Sequence, residues 1–585
     1  MKKNNPDLEI LKLHLKPFLK NDKFELDSSN KQYHQISNNL CQFLEKIVLK
    51  NKEINQVYDK IFIHLLDNAQ IDISRSLKYY SNFYIERSIK KFFEKILLEK
   101  KNKEEYFHKE FLNTIINNNS FILNRKKLVE VDNILKLKIL SADEFIKFLS
   151  DETIHKILKK IIISDPVNEK FFTEIRKIIL EEIINNKKIK INIIENFSSK
   201  LSSNCFFNEY SWLESDEEFK NINLLEEKML LKFNQNKKVS LSEIFILASY
   251  RPLFKYKKMV KYFLKFDNEI IKDQISDYIV EEKFIKNIKT LSPIENQISI
   301  NVKNQYEEYP YPRWNLFKKD TNTIQYYDYI NQESSDKIIP KKIKKILVAG
   351  CGTGKHPINI ALADPSLDIF AIDLSKRSLA YASRKANELN IDSIKWIHGD
   401  ILDLKKLNES FDVIESVGVL HHMEDPNNGF DILYKILEPK GFLKLGLYAK
   451  SFRNSLKSAK NLLVENNYSK NLRSIQKARR LISKNEKDNV RYPAILLSDF
   501  YTTSSFVDLL IHEQELDFDI NDLLNLYEKR FNFLGFTGDP LKKSQFNNAL
   551  KKIEITENEM ENWKRLEKVD PFYFSNMYQF WLQKK

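Results

Sequence analysis

The first 349 of 585 residues contain no glycine; all ten glycines lie at or after Gly350. Glycine is the usual residue for positive-φ turns and tight hairpins, so its absence excludes a large hairpin-built β domain from the first half. Only three cysteines occur, Cys41, Cys205 and Cys351, with no CxxC pair and no Cys/His cluster. That pattern excludes a disulfide framework and a zinc-ligand set, and no metal is expected. No run of about 18 apolar residues is present, so no membrane-spanning helix is expected. The N-terminus, MKKNNPDLEILKLHLKPFLK, is basic but lacks the continuous apolar stretch of a signal peptide. A cytoplasmic location is the expectation. Charge is only mildly one-sided: 95 basic against 81 acidic residues give +14, too weak a bias on this length to name a nucleic-acid partner.

What is present in the first half is helical periodicity. Segments such as FIHLLDNAQIDISRSLKYY and DEFIKFLSDETIHKILKKIII repeat apolar residues at i, i+3, i+4 and i+7, the spacing of amphipathic helices. An all-α accessory domain is therefore expected over 1–300, with no repeat near 34 or 40 residues. The composition then changes. NQYEEYPYPRWN (304–315) is aromatic and carries two prolines, which hold their neighbours extended. Residues 301–340 read as an aromatic, proline-bearing arm. It serves either as a lid, with Tyr306, Tyr309, Tyr311, Arg313 and Trp314 over a pocket and Arg313 on an acidic group, or as a linker docked by its prolines and Trp314.

From Lys341 strands and helices alternate, the pattern of a parallel α/β sheet. The strand Ile346–Ala349 runs into Gly350-Cys351-Gly352-Thr353-Gly354. A dinucleotide fingerprint and a phosphate loop starting at Gly350 would both need glycine at 355, where Lys355 stands. The turn is G-x-G-x-G. Its glycines allow close backbone approach to a ligand, and the following helix offers free N–H groups to an anion. Nineteen residues after Gly354, the strand LDIFAID ends in Asp373, an acid placed to accept ribose hydroxyls. IKWIHGDILDL ends a third strand near Asp400, and FDVIESVGVLHHMEDP supplies a fourth strand and a loop.

In this order and spacing, ILVAGCGTG, AIDLS, HGDILDL and FDVIESVGVLHHMEDP resemble the class I S-adenosylmethionine-dependent methyltransferases. The resemblance implies a Rossmann-like seven-stranded sheet over 341–585, with S-adenosylmethionine as cofactor. It puts Gly350, Cys351, Gly352 and Gly354 near the methionine part and Asp373 on the ribose. Asp400 would lie near the adenine amino group, Leu374 and Ile401 against the ring, and Glu415 at the mouth of the fourth strand. With the flanks NQYEEYPYPRW, NFLGFTGD and FSNMYQFW, residues 290–585 are similar to a bacterial subgroup often fused to tetratricopeptide repeats. The chain departs from it in lacking a tetratricopeptide pattern and in Tyr309, where the subgroup usually has asparagine. The remaining sheet is expected from GFLKLGLY (441–448), FNFLGFTG (531–538) and MYQFWLQK (577–584), with helical insertions at about 450–518 and 540–572.

Candidate bases for the acceptor follow the fourth strand: Glu415, His421, His422 and Asp425, the imidazoles titrating near neutrality, although such histidines also serve to shape a loop. No D/N-P-P-Y/F follows that strand, it holds no cysteine, and only one glutamate opens the loop. These absences argue against methylation of base amino groups, cytosine C5 and arginine. The acceptor is unidentified, with a small molecule or protein side chain favoured. RNA is the less favoured alternative: residues 453–491 carry eleven Lys/Arg and three acids, and Arg473, Lys477 and Arg480 share one helical face. A non-catalytic cofactor-binding scaffold is the third reading.

Overall fold

A computed structural model describes residues 146, 148–160, 162–164, 166–185, 191–314, 324–334, 342–484, 493–537, 556, 558–570, 573–574 and 576–585. The chain forms two compact units, Met1–Asn204 and Cys205–Lys585. The expected helices before residue 146 lie outside the described residues. In the first unit, helices Glu152–Lys160 and Pro166–Ile184 and the helix that starts at Ile191 surround Phe148, Phe171, Phe172 and Phe197, all at or below 2% exposure. The rings of Phe148 and Phe171 meet edge to face at 5.5 Å, the arrangement that ring quadrupoles favour.

The second unit holds an eight-stranded sheet: β1 Lys289–Thr290, β2 Lys345–Ala349, β3 Asp368–Asp373, β4 Ile394–His398, β5 Phe411–Val417, β6 Leu437–Tyr448, β7 Phe531–Phe536 and β8 Met577–Lys584. Their spatial order is β1-β4-β3-β2-β5-β6-β8-β7. The strands run parallel except β8, which is antiparallel to both β6 and β7. β2 is central and apolar, with four of its five residues buried, as a parallel strand covered on both faces must be. From β2 the chain winds out through β3 and β4, then returns to β5 on the other side. That reversal opens a crevice at the carboxyl ends of the strands.

Two expectations are corrected. The sheet has eight strands, not seven, because β1 adds to the edge of β4; two residues carry no periodicity that a sequence reading can detect. The boundary lies at 204/205 rather than 300. Helix Asp277–Asn287 packs on helix Lys376–Glu388, where Arg384 bonds Glu281 at 2.9 Å and Asp277 at 3.0 Å. Helices that cover a sheet need no glycine, so the glycine-free stretch does not end where the helical unit ends.

The arm is also shorter than expected. Asn296 caps a helix Gln297–Glu308 by accepting the Ser299 N–H at 2.9 Å. Helix Tyr326–Glu333 buries Tyr326 and Ile330 against β2 and its neighbours. Of the arm, residues 309–314 are described and lie in no helix or strand. The first insertion holds helices Lys457–Glu465, Leu472–Lys484 and Thr503–Leu510. Of the second, the described part holds helix Glu559–Val569.

Candidate functional site

The crevice at the reversal contains a cavity of about 550 Å³. Its floor is the glycine turn. Gly350, Gly352 and Gly354 have φ of +79°, +52° and +79°, where side chains other than glycine's are strained. At Gly352 a Cβ would stand 2.6 Å from the Tyr311 carbonyl oxygen, so the arm lies directly across the turn. Gly350, Cys351, Gly352, Asp373, Leu374, Asp400, Ile401 and Glu415 all line the cavity.

Gly354 does not line it. It caps helix Lys355–Ala363, and a Cβ there would meet Ala382 at 2.4 Å and the Trp396 ring at 2.8 Å. Its absent side chain lets the turn pack against the next helix and β4.

Asp373 holds the turn in shape. One carboxylate oxygen accepts the Gly352 N–H at 2.7 Å and the other accepts the Ser375 N–H at 2.9 Å. Burial pushes its pKa up to about 6, against those two N–H groups, which pull it down. Asp400 accepts the Leu402 N–H at 2.9 Å. Cys351 is buried with its thiol pKa raised by burial, a packed and unreactive state.

Glu415 is fully buried in the middle of β5, in register with Val348 on β2 and Lys444 on β6. One oxygen is 2.7 Å from His356 Nε2. The other is buried with no hydrogen-bond partner among the described residues. Burial raises the carboxyl pKa to about 7, with Lys444 opposing. An orphaned carboxylate oxygen beside a glycine cradle is costly to leave bare, and it fits a donor supplied by a ligand. Lys444 is 5% exposed; its ammonium donates to Tyr329 Oη at 3.1 Å and lies 3.5 Å from Glu333.

His422 lines the cavity and His421 does not. Their bonding is set by the backbone. Tyr448 N–H donates to His421 Nδ1 at 3.3 Å, so the His421 proton sits on Nε2. That proton points to His422 Nε2 at 3.1 Å, and His422 donates from Nδ1 to the Gln514 carbonyl at 2.7 Å. Gln514 N–H donates to His512 Nδ1 at 3.1 Å, which leaves His512 Nε2–H for Tyr306 Oη at 3.1 Å. Burial lowers the pKa of all three rings. They are neutral, and neither His421 nor His422 has a lone pair free for an acceptor's proton. The expectation of a histidine base gives way to a fixed imidazole chain.

Asp508 ends that chain: Tyr306 Oη donates to it at 2.7 Å and Tyr448 Oη at 3.1 Å. His422, Asp508 and His512 bring one ligand-type atom each within 4.8 Å of one another. The two rings are stacked at 3.7 Å, so their lone pairs run side by side rather than converging on a point.

The arm does both tasks expected of it, divided among residues. Tyr306, Tyr311 and Pro312 line the cavity. Trp314 docks, donating from Nε1 to the Thr353 carbonyl at 3.1 Å, and Thr353 donates its hydroxyl to the Pro312 carbonyl. Tyr309 donates to the Lys470 carbonyl at 2.5 Å. Arg313 lies 3.7 Å from Glu209, so its acidic partner is part of the chain.

Five of the eleven cations of the basic stretch bond inside the fold, while Lys477 is exposed and Arg480 partly so. Arg453 and Lys460 meet Glu515, Lys470 meets Glu513, Arg473 meets Asp216, and Arg479 donates to the Phe500 and Ser211 carbonyls.

Among the cavity residues that the sequence did not single out are His356, Lys444, Tyr448 and Asp508. A signal existed for two of them. Lys444 interrupts the apolar strand GFLKLGLY, and Asp508 interrupts SFVDLL; a lone charge inside an apolar run must be paired or face a cavity.

Residues 346–441 match the family model described as a methyltransferase domain. An uncharacterized protein of Synechococcus is 29% identical over 201 residues, covering 33% of this chain and 48% of that one. An uncharacterized methyltransferase of Mycobacterium tuberculosis is 31% identical over 123 residues, covering 21% and 59%. The chain thus spans about half the length of these curated relatives. Among solved structures, PKMT2 from Rickettsia typhi aligns at 18% identity with a TM-score of 0.35, over 44% of this chain and 52% of that one.

Proposed function

We propose that this chain is an S-adenosylmethionine-dependent methyltransferase of the class I type. The observation that carries the reading is convergence: eight of the nine residues picked from separate motifs line one cavity, at the sheet reversal, in a segment that matches a methyltransferase domain. The turn and the start of helix Lys355–Ala363 offer N–H groups to the methionine carboxylate. The orphaned Glu415 oxygen suits the ammonium. Asp373 receives the ribose hydroxyls and Asp400 the adenine amino group, between Leu374 and Ile401.

The sulfonium supplies an activated methyl group and a good leaving group. The protein's own part is alignment of donor and acceptor and exclusion of water, which the arm across the turn provides. A small molecule or a protein side chain is the acceptor class this reading favours. RNA stays the less favoured acceptor, because five of the eleven cations in the basic stretch are bonded internally.

Calorimetric titration of the full chain with S-adenosylmethionine and S-adenosylhomocysteine tests the reading. Micromolar binding of both is expected. Failure of both to bind would overturn it.

A further inference from the structure

Besides the glycine turn, the cavity is lined by residues of helix Gln297–Glu308, β6 and helix Thr503–Leu510, which form its second end. Its polar centre is the Asp508 carboxylate, 7% exposed. Tyr306 and Tyr448 each donate a hydroxyl to one of its oxygens. A carboxylate has about four lone-pair sites, so two remain. Tyr311 adds a third ring to the same wall. Burial chiefly raises the pKa of the Tyr306, Tyr311 and Tyr448 hydroxyls; Asp508 adds to the rise in all three, and Asp499 adds more than Asp508 at Tyr311.

The imidazoles around it are neutral, with their lone pairs occupied. Tyr306 ties this end to the other: its carbonyl accepts the Ser375 hydroxyl at 3.1 Å, next to Asp373 and Leu374.

We propose that this end is the acceptor subsite and that it takes a protonated amine, held by Asp508 inside the Tyr306–Tyr311–Tyr448 wall. The inference rests on the methyltransferase reading. The Tyr448 ring is already stacked on His421 at 3.7 Å and covered by the Arg453 guanidinium at 4.2 Å, so Tyr306 and Tyr311 are the rings left to attract a cation, and an enclosed carboxylate selects an ammonium over a neutral group of equal size. A carboxylate is too weak a base for an alcohol, and no imidazole here is free to replace it. For an amine it suffices. The ammonium gives one proton to Asp508. The nitrogen lone pair forms the N–C bond while the C–S electron pair passes to sulfur. The products are a methylated ammonium and a neutral thioether, and the Asp508 proton leaves to water.

The test titrates the full chain with n-hexylamine and with 1-hexanol, in the presence and absence of S-adenosylhomocysteine. The amine should bind at least about tenfold tighter than the alcohol. Asp508→Asn should erase that preference while S-adenosylhomocysteine still binds as in the unaltered chain. If Asp508→Asn does not fold, Tyr311→Leu should weaken the amine and spare the alcohol. Equal binding of amine and alcohol by the unaltered chain overturns the proposal. So does an amine preference that survives substitution. Loss of S-adenosylhomocysteine binding alone would strike the methyltransferase reading and leave the amine result standing.

Labelled methyl transfer in cell extract separates the sources. Label in base-stable N-methyllysine after protein hydrolysis names a protein amine, and label in small secondary amines names a free one. Base-labile label, or label in RNA, overturns the proposal.

Discussion

Asp373→Asn separates the carboxylate's binding role from its structural one. In the folded chain Asp373 accepts N–H groups from Gly352 and Ser375, one on each oxygen. Asparagine satisfies one of these and turns an amide N–H₂ toward the other. The lost bond costs about 1–3 kcal/mol. The substitution also removes a buried charge whose pKa burial has raised to about 6, a relief of opposite sign, so the melting temperature should change little. Cofactor binding has no such compensation. Two ribose hydroxyls lose a charged acceptor, at about 1.5–3 kcal/mol each, which weakens S-adenosylhomocysteine by at least about 100-fold at 1.4 kcal/mol per decade. The pH dependence supplies a second readout. A raised pKa favours the protonated acid in the empty protein, whereas hydroxyl donors need the ionised form. Affinity in the unaltered chain should therefore fall about fivefold between pH 6 and pH 5. The substituted chain should lack that component, leaving only what Glu415, raised to about 7, contributes. Calorimetry from pH 5 to pH 8 reads both effects. An Asp373→Asn affinity matching the unaltered chain at pH 8 would refute the assignment.

Gly354→Ala should destabilise the sheet unit by about 2–5 kcal/mol, summing left-handed backbone strain and overpacking against Ala382 and Trp396; a denaturation midpoint equal to that of the unaltered chain would contradict the packing role. Acidification between pH 6.5 and 5.5 should remove the histidine contribution to the stability of the empty protein. His421, His422 and His512 have lowered folded pKa values, so their contribution is present above the unfolded value of about 6.5 and is lost below it, at up to about 1.4 kcal/mol per ring per pH unit. Glu415 and Asp373, raised to about 7 and about 6, gain stability over the same window, so the histidine part is read as the difference in pH slope of the thermal midpoint between the unaltered chain and His422→Gln; equal slopes would show that this ring is not held neutral.

The parts of this protein legible in its sequence are those in which one short segment determines its own geometry. The glycine turn, the acids ending β3 and β4 and the apolar parallel strands each follow from local rules, and they occupy their expected places around the sheet. β1 was illegible because two paired residues have no period. The unit boundary was illegible because covering helices and an independent helical unit share one pattern. Tyr309, Arg313 and Trp314 were read as one group with Tyr306 and Tyr311, yet they bond to Lys470, Glu209 and Thr353, partners spread over 200 residues of chain that no spacing rule connects to the arm.

The same argument explains the histidine pair. A free imidazole titrates near neutrality, so two histidines in a loop over a sheet edge suggest a base. Whether an imidazole can accept a substrate proton depends on which of its nitrogens the surroundings already occupy. Here those surroundings are the Tyr448 N–H and the Gln514 carbonyl, 27 and 92 residues away. Two backbone groups fix both tautomers, and a third, the Gln514 N–H, fixes the ring of His512. The chain therefore ends in a hydroxyl directed at Asp508, an aspartate in an otherwise apolar stretch of helix. At this end of the cavity Asp508 is the carboxylate that lines the wall, and a cationic acceptor is the partner whose charge complements it.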